Sequence, residues 1–279
     1  MRHQDHWSLI RTRAVSCLIG IGAAIGVSAP AHAALVHRWT FEEPNGTGPP
    51  QVLNSVSSNH GTFVAMDDTN RSSDVPNALS TRSLQYNGTD ERVDLGSRVN
   101  LLDTTDFTVA LWYRGTESRA GTTNAVGRTL IGTQDSNAVW ASLGINSGGQ
   151  AVYYHYDGSF QSNIASPLSV SNDVWHHIAV VNHLNQTADL YIDGGLVDTG
   201  SSVAGATGSS DAFGFAIDHF MHGYNNLYTA GKIDDVRIYN HALTQSEVSA
   251  LAAVPEPASF QLAIVGLTAV GLLRRRRVR

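Results

Sequence analysis

Between Ala34 and Ala253 the chain is written for strands, and that periodicity narrows the folds open to it more than any other feature. Phe107, Val109, Leu111 and Tyr113 alternate with Thr108, Ala110, Trp112 and Arg114, the two-residue period of a strand with one buried face. A longer β-rich run covers Trp175 to Asn182. Asp189 to Ile192 leads into Asp193-Gly194-Gly195, a tight turn in which glycine supplies positive φ, and Leu196 and Val197 begin the return strand. Helix signals are nearly absent until the end, where Thr244 and Glu247 form a capping box and Leu243 is placed to staple onto Val248. Strands at roughly 8 to 12 residue spacing, joined by loops rich in Gly, Ser, Asn and Thr, predict an antiparallel all-β sandwich or jelly roll closed by one short helix. No internal repeat and no second domain is visible, and the Ser/Gly/Ala stretch from Thr199 to Ser210 reads as a surface loop.

Both ends differ from this body. Arg2, Arg11 and Arg13 precede an apolar run from Ala14 to Val27 and the small-x-small site Ala31-His32-Ala33, so residues 1–33 read as a cleaved export signal. Cys17 is the only cysteine and lies inside that segment, which leaves the exported domain, residues 34–253, without disulfide or thiolate chemistry. Residues 254–279 form a three-part tail: Val254-Pro255-Glu256-Pro257, an uncharged apolar run at 258–273, and an arginine-rich end at 274–279. A helix over the apolar run spans roughly 24 Å, short of the roughly 30 Å hydrocarbon core, which suits a transient anchor. Arginines on the cytoplasmic side set the Val254–Pro257 segment outward, within reach of a processing enzyme. A plain tail anchor is the competing reading. The order of parts resembles the PEP-CTERM sorting signal of Gram-negative bacteria that make exopolysaccharide. That resemblance implies processing by an exosortase in the inner membrane, then release to the cell surface or extracellular matrix.

The formal charge of −6 conceals the character of the domain, because both basic ends are targeting segments. Residues 34–253 hold 22 acids against 10 bases, a balance near −12, with Lys232 the only lysine. Such a surface disfavours nucleic acid and anionic lipid. It is compatible with divalent cations and neutral sugars.

Several short motifs occur in order along the domain. They are His37-Arg38-Trp39-Thr40-Phe41-Glu42-Glu43 with Gly46, Ser83-Leu84-Gln85-Tyr86-Asn87-Gly88 and Phe107-Thr108-Val109-Ala110-Leu111-Trp112. Trp175-His176-His177-Ile178-Ala179-Val180, Leu190-Tyr191-Ile192-Asp193-Gly194 and Ile233-Asp234-Asp235-Val236-Arg237-Ile238-Tyr239-Asn240 with Ala242-Leu243 follow. Together they resemble the laminin-G-like, concanavalin A-like lectin/glucanase jelly roll. The resemblance implies two curved antiparallel sheets, a tendency to bind glycans or proteins, and often a structural calcium. Carried over by motif, the calcium ligands are Asp234, Glu42 and the carbonyl of Gly88. Regular pleating of the last strand puts Asp234 on the side of Val236 and Ile238, where an acid is costly unless paired. Pairing with Arg237 or a backbone amide is the alternative to calcium. Glu42-Glu43 stands where the family more often has Asp-Glu.

Glycan recognition needs aromatic platforms beside hydrogen-bonding groups. Trp140, Tyr153, Tyr154, Tyr156 and Phe160 with His155, Asp157, Gln161 and Asn163 form the densest such group, and Tyr224-Asn225-Asn226-Tyr228 a second. The expected ligand-binding set is Trp140, Tyr154, Tyr156, Tyr224 and Asn225, with Tyr156 and Tyr224 the most exposed; core packing competes as an explanation. Trp39, Trp112 and Trp175 are assigned to the core. His176 and His177 are adjacent on a strand and face opposite ways, and His219 and His222 lack a third ligand, so neither pair reads as zinc. The sequence has neither the Glu-x-Asp-x-x-Glu strand of retaining glucanases nor a Gly-x-Ser-x-Gly elbow. The reading is therefore a non-enzymatic, exported protein that binds extracellular polysaccharide or a surface glycoprotein. A non-binding matrix body and a glycoside hydrolase are the alternatives.

Overall fold

The computed structural model describes residues 34–43, 51–95, 106–116, 128–134, 140–156, 161–183, 187–201, 214–217 and 228–253. Their strands in chain order are β1 (Leu35–Trp39), β2 (Gln51–Val52), β3 (Gly61–Val64), β4 (Arg71–Ser72), β5 (Ser83–Asn87), β6 (Arg92–Asp94), β7 (Phe107–Arg114) and β8 (Arg128–Gln134). Then come β9 (Trp140–Ile145), β10 (Gln150–Tyr156), β11 (Gln161–Ser169), β12 (His176–Asn182), β13 (Thr187–Ile192), β14 (Gly195–Ser201), β15 (Gly214–Ile217) and β16 (Ala230–Tyr239), followed by helix α1 (Gln245–Ala252).

These strands make two sheets in which neighbours run antiparallel. The first has the order β14-β13-β12-β7-β16-β5-β4, with β1 also paired to β16; the second runs β11-β10-β9-β8-β15-β6-β3-β2. The fold is a jelly-roll sandwich of mostly β structure, as the spacing of turns predicts. In β7 the pleat sorts the side chains as the sequence requires: Phe107, Val109, Leu111 and Tyr113 join the large core between the sheets. From the facing sheet Val93, Leu130, Ile131, Leu143, Ile145 and Tyr153 enter the same core.

The reverse face of the first sheet carries a second, smaller core. Ala110, Ala179, Val181, Tyr191 and Tyr239 are covered there by Leu243, just before the terminal helix, and by Val248 within it. The helix starts where its capping box sets it, with Thr244 and Glu247 satisfying each other's backbone amides. Its seat is the β13–β14 turn, a two-residue loop with Asp193 at φ 50° and Gly194 at φ 80°, the left-handed pair of a type I′ hairpin. A Cβ on Gly194 would lie 2.9 Å from the Ser249 Cα, and Ser249 Oγ donates to the Gly194 carbonyl at 2.9 Å. Glycine here serves the turn and the helix contact together.

Two expectations change, and a third is met in a different place. Trp39 is fully buried, and Trp112 is buried as well, 5% exposed, but on the outer side of the first sheet, packed edge-on against His177. Trp175 is only half-buried, with its indole N–H given to Asp74 at 3.0 Å; it lies before β12, where no facing sheet covers it. Asp234 does not share the face of Val236 and Ile238. A register shift between Asp234 and Arg237, with Asp235 at φ 46°, inserts an extra residue into β16. The bulge turns Asp234 outward beside Trp112 while Val236 and Ile238 stay in the core.

Candidate functional site

One edge of β16 is shared by two strands. β1 pairs with its later half, Trp39 opposite Val236, and β5 with its earlier half, Leu84 opposite Ile233. The two partners run end to end, so the chain leaving β1 and the chain entering β5 meet at the unpaired step between, at Asp234 and Asp235. This is how Glu42 and Asp234, 192 positions apart, come together.

The backbone is bent to make the meeting. Phe41, buried in the core, has φ 60°, and Asp235 has φ 46°. Left-handed φ is an outlier for a bulky aromatic, and such strain persists only where the surroundings enforce it. Each candidate carboxylate therefore sits directly beside a strained residue, Glu42 after Phe41 and Asp234 before Asp235.

The carboxylates have different partners. Glu42 accepts the backbone N–H of Thr81 at 2.8 Å and of Arg82 at 3.3 Å, and the Thr81 hydroxyl. Asp234 is fully buried; its Oδ1 takes the N–H of Asp235 at 2.7 Å, while its Oδ2 is buried without a hydrogen-bond partner. Burial, then the nearby charges of Asp235 and Glu42, push its pKa up to about 8 despite the help of the Ser80 hydroxyl. A buried carboxylate facing a second one is unfavourable unless a proton or a cation separates them. Asp235 fares otherwise. Arg38 Nε and Arg237 Nε reach its Oδ1 at 2.8 and 3.0 Å, and Arg237 Nη2 reaches its Oδ2. Burial works to raise its pKa, but these two guanidiniums outweigh burial and hold the acid below its usual range. Glu43 is likewise occupied, by Arg71 Nη1 at 2.9 Å and the N–H of Leu53 at 2.7 Å.

The third carried-over ligand falls away. Asn87 pairs with Ala230, so Gly88 lies beyond the far end of β5 from Asp234. Its carbonyl there faces Arg128 Nη1 at 3.5 Å. Among the described residues no group of three His, Cys, Asp or Glu side chains gathers as a metal would need. A cation at the junction would be held by Glu42, Asp234 and oxygens of the Ser80–Thr81 segment. That is a hard-oxygen set from distant parts of the chain, and it fits calcium.

The aromatic set is placed only in part. Tyr154 pairs with Ser142 and Asn163 across β10, and Tyr156 with Trp140 and Gln161, so these three predicted residues occupy one corner of the second sheet. Tyr154 is 3% exposed, which is packing rather than an open platform. Tyr224, Asn225 and the Val254–Pro257 motif lie outside the described residues, as do the apolar runs at both ends. Among the described residues no helix is long and apolar enough to cross a membrane. Ser80, Thr81 and the strained Phe41 belong to the junction although nothing in the sequence marks them; their role depends on which strands flank β16.

Two antiparallel sheets, with first and last strands joined at an acidic junction, define a lectin-type jelly-roll domain. Residues 87–249 match the laminin G-type model of the Concanavalin A-like lectin/glucanases superfamily, and the chain belongs to that superfamily. Residues 253–277 match the PEP-CTERM protein-sorting motif, which marks the chain for export to a surface or extracellular location. No curated protein matches the chain. Among solved structures it is similar to domain 4 of AbnA, a GH43 extracellular arabinanase from Geobacillus stearothermophilus, in complex with arabinotriose. The TM-score is 0.59 at 18% identity, over 79% of this chain and 99% of that one. It is also similar to the binding domain of Paraclostridial Mosquitocidal Protein 1, with TM-score 0.55 and 19% identity over 78% of this chain and 51% of that one. The Trypanosoma rangeli sialidase gives 0.55 at 16% identity, over 78% and 32%. The chain thus spans about half of the second protein and a third of the third. At these identities the likeness is one of fold.

Proposed function

We propose that this protein is an exported saccharide-binding module, stabilised by calcium, that works on extracellular polysaccharide or the glycans of a surface glycoprotein. The calcium reading is carried by one observation: Glu42 and the partnerless Oδ2 of Asp234 meet where the first and last strands join. A cation there ties the two ends of the sandwich together and removes the repulsion between the acids. The saccharide reading is supported by the fold and by the arabinotriose complex of the AbnA domain. The corner of Trp140 and Tyr156, with Tyr224 and Asn225, is the proposed contact region; Tyr154, 3% exposed, supports it by packing. The absence of a glucanase carboxylate motif favours binding over hydrolysis.

Export follows the two ends: residues 1–33 as signal peptide, 34–253 as the delivered domain, and 254–279 as a temporary inner-membrane anchor processed by an exosortase-type enzyme. Replacing Pro255, Glu256 and Pro257 with alanine should leave the chain at the inner membrane; normal release would refute this route.

For the ion, a thermal melt with calcium and with chelator should show a higher midpoint with calcium, lost in Asp234→Asn; an unchanged midpoint in the parent rejects the site. For the ligand, a pull-down on arabinan and on neutral and acidic exopolysaccharides in calcium should retain the protein. Retention on none of them would make it a matrix body instead. Release of reducing ends from arabinan or β-glucan would make it a hydrolase.

A further inference from the structure

On the outer face of the first sheet, one pleat repeat along β16 from Asp234 and further from the helix-covered core, the register sets Gln85, Lys232 and Arg114 in one row. The next residue of β16 towards its start, Gly231, has φ 143°, and a Cβ on it would lie 2.5 Å from the Arg114 carbonyl oxygen and 3.2 Å from the Gly115 Cα. Only glycine fits there. Bare backbone at Gly231 and Gly115 beside a row of long polar side chains leaves a trough of about 360 Å³, walled by Gln85, Arg114, Thr116, Asp173 and Lys232. That volume is at the small end of the range for ligand sites, which is about 300 to 1,000 Å³. It suits a short piece of a chain rather than a long one.

The cations of this trough are fixed in advance. Arg114 gives Nε to Asp173 at 2.9 Å and Nη1 to both oxygens of Asp74 at 3.0 and 2.9 Å. Lys232 gives Nζ to Asp74, whose Oδ1 also takes the Trp175 indole N–H at 3.0 Å. Two consequences follow. Each cation already faces a carboxylate, so the trough has no excess positive charge with which to draw in an anion. Arg114 Nη2 and the remaining ammonium hydrogens of Lys232 are donors in set positions. Asp173, 62% exposed, supplies acceptors, and the exposed Gln85 amide and Thr116 hydroxyl supply both. Fixed donors and acceptors interleaved over a few ångströms complement adjacent sugar hydroxyls, each of which gives and takes a hydrogen bond. Preorganisation lowers the ordering cost that weakens small-ligand binding.

We propose that this trough is a separate saccharide site, taking one or two neutral sugar units of a longer polymer. The proposal rests on the saccharide-binding reading above, but not on the Tyr154 corner or on calcium.

The test is calorimetric titration of the full chain, in detergent and calcium, with maltotriose, cellotriose, arabinotriose and trigalacturonic acid. At least one neutral trisaccharide should bind. The double variant Gln85→Ala/Thr116→Ala should raise its Kd at least tenfold with an unchanged melting midpoint, since both side chains are exposed. A second variant, Gln85→Trp, fills the trough without adding a cation beside Asp74 and should abolish binding. Neutral binding that survives both variants unchanged overturns this site and leaves the broader reading standing. Tighter binding of trigalacturonic acid than of every neutral sugar overturns the neutral assignment. Failure of all four sugars to bind the parent removes this site, while the broader saccharide reading is decided separately by the polysaccharide pull-down.

Discussion

The junction around Asp234 and the clasp around Asp235 are one backbone step apart, and the molecule handles them in opposite ways. Both acids are buried. Around Asp235 the fold supplies its own cations, Arg38 from β1 and Arg237 from β16. Around Asp234 it supplies a second carboxylate and a hydroxyl, and leaves Oδ2 without a hydrogen-bond partner. The first arrangement is complete within the chain; the second is completed by a proton or by a metal ion. The bulge in β16 creates the difference, because it turns two adjacent residues into two different environments.

Several measurements can break or sharpen this contrast. The largest effect should come from Asp235→Ala, which strands two guanidiniums beside each other and costs about 3 to 5 kcal/mol, read as a lower urea midpoint with calcium present. A loss under about 1 kcal/mol would show that the clasp is only surface decoration.

Asp234→Asn should act with the opposite sign in chelator, stabilising the protein by on the order of 2 kcal/mol at neutral pH, since the variant no longer has to take up a proton in order to fold. Because burial raises the folded pKa of Asp234 to about 8, the folded state holds its proton where the unfolded chain has lost it. Metal-free stability should therefore fall as pH rises from the ordinary carboxylate value towards 8, and the advantage of the variant should grow over that window. An advantage that stays flat with pH would contradict the assignment.

His177 tests the clasp from its other side. Burial, then the charge of Arg237, lowers its pKa to about 4, so the folded state binds fewer protons than the unfolded one. Stability should drop as pH falls from its ordinary value towards 4, by at most about 1.4 kcal/mol per pH unit. Wild type and His177→Phe, compared in calcium, should diverge only below about pH 6.5; parallel curves would mean the imidazole stays accessible. The smallest effect should be that of Thr244→Ala, which removes the cap of α1 at a cost of about 1 kcal/mol and should leave the calcium shift intact. A changed calcium shift would mean that the helix and the junction are coupled.

Much of the fold was legible in the sequence. The alternation in 107–114, the Asp193-Gly194 turn and the Thr244/Glu247 cap each depend on near neighbours, and each appears where its local signal sets it. The candidate site was legible by residue type but not by arrangement. Asp234 and Glu42 do meet, whereas Gly88 lies at the other end of its strand, because motif order along a chain does not give distance along a paired strand. Trp175 fails as a core residue for a similar reason: its burial depends on what lies across from it, and what lies there is Asp74.

By itself, the sequence determined the strand content, the two-residue hairpin, the helix start, the lack of thiol chemistry in the domain and the sorting tail. All of these are set by local periodicity, turn chemistry or composition. Only the tertiary structure decided which face Asp234 takes, that Glu42 joins it while Glu43 goes to Arg71, and that Lys232 and Arg114 frame a trough. Those outcomes depend on a one-residue bulge and on two strands sharing one edge of β16. Such pairings are fixed by the packing of the whole sandwich, and no neighbouring residue in the chain records them.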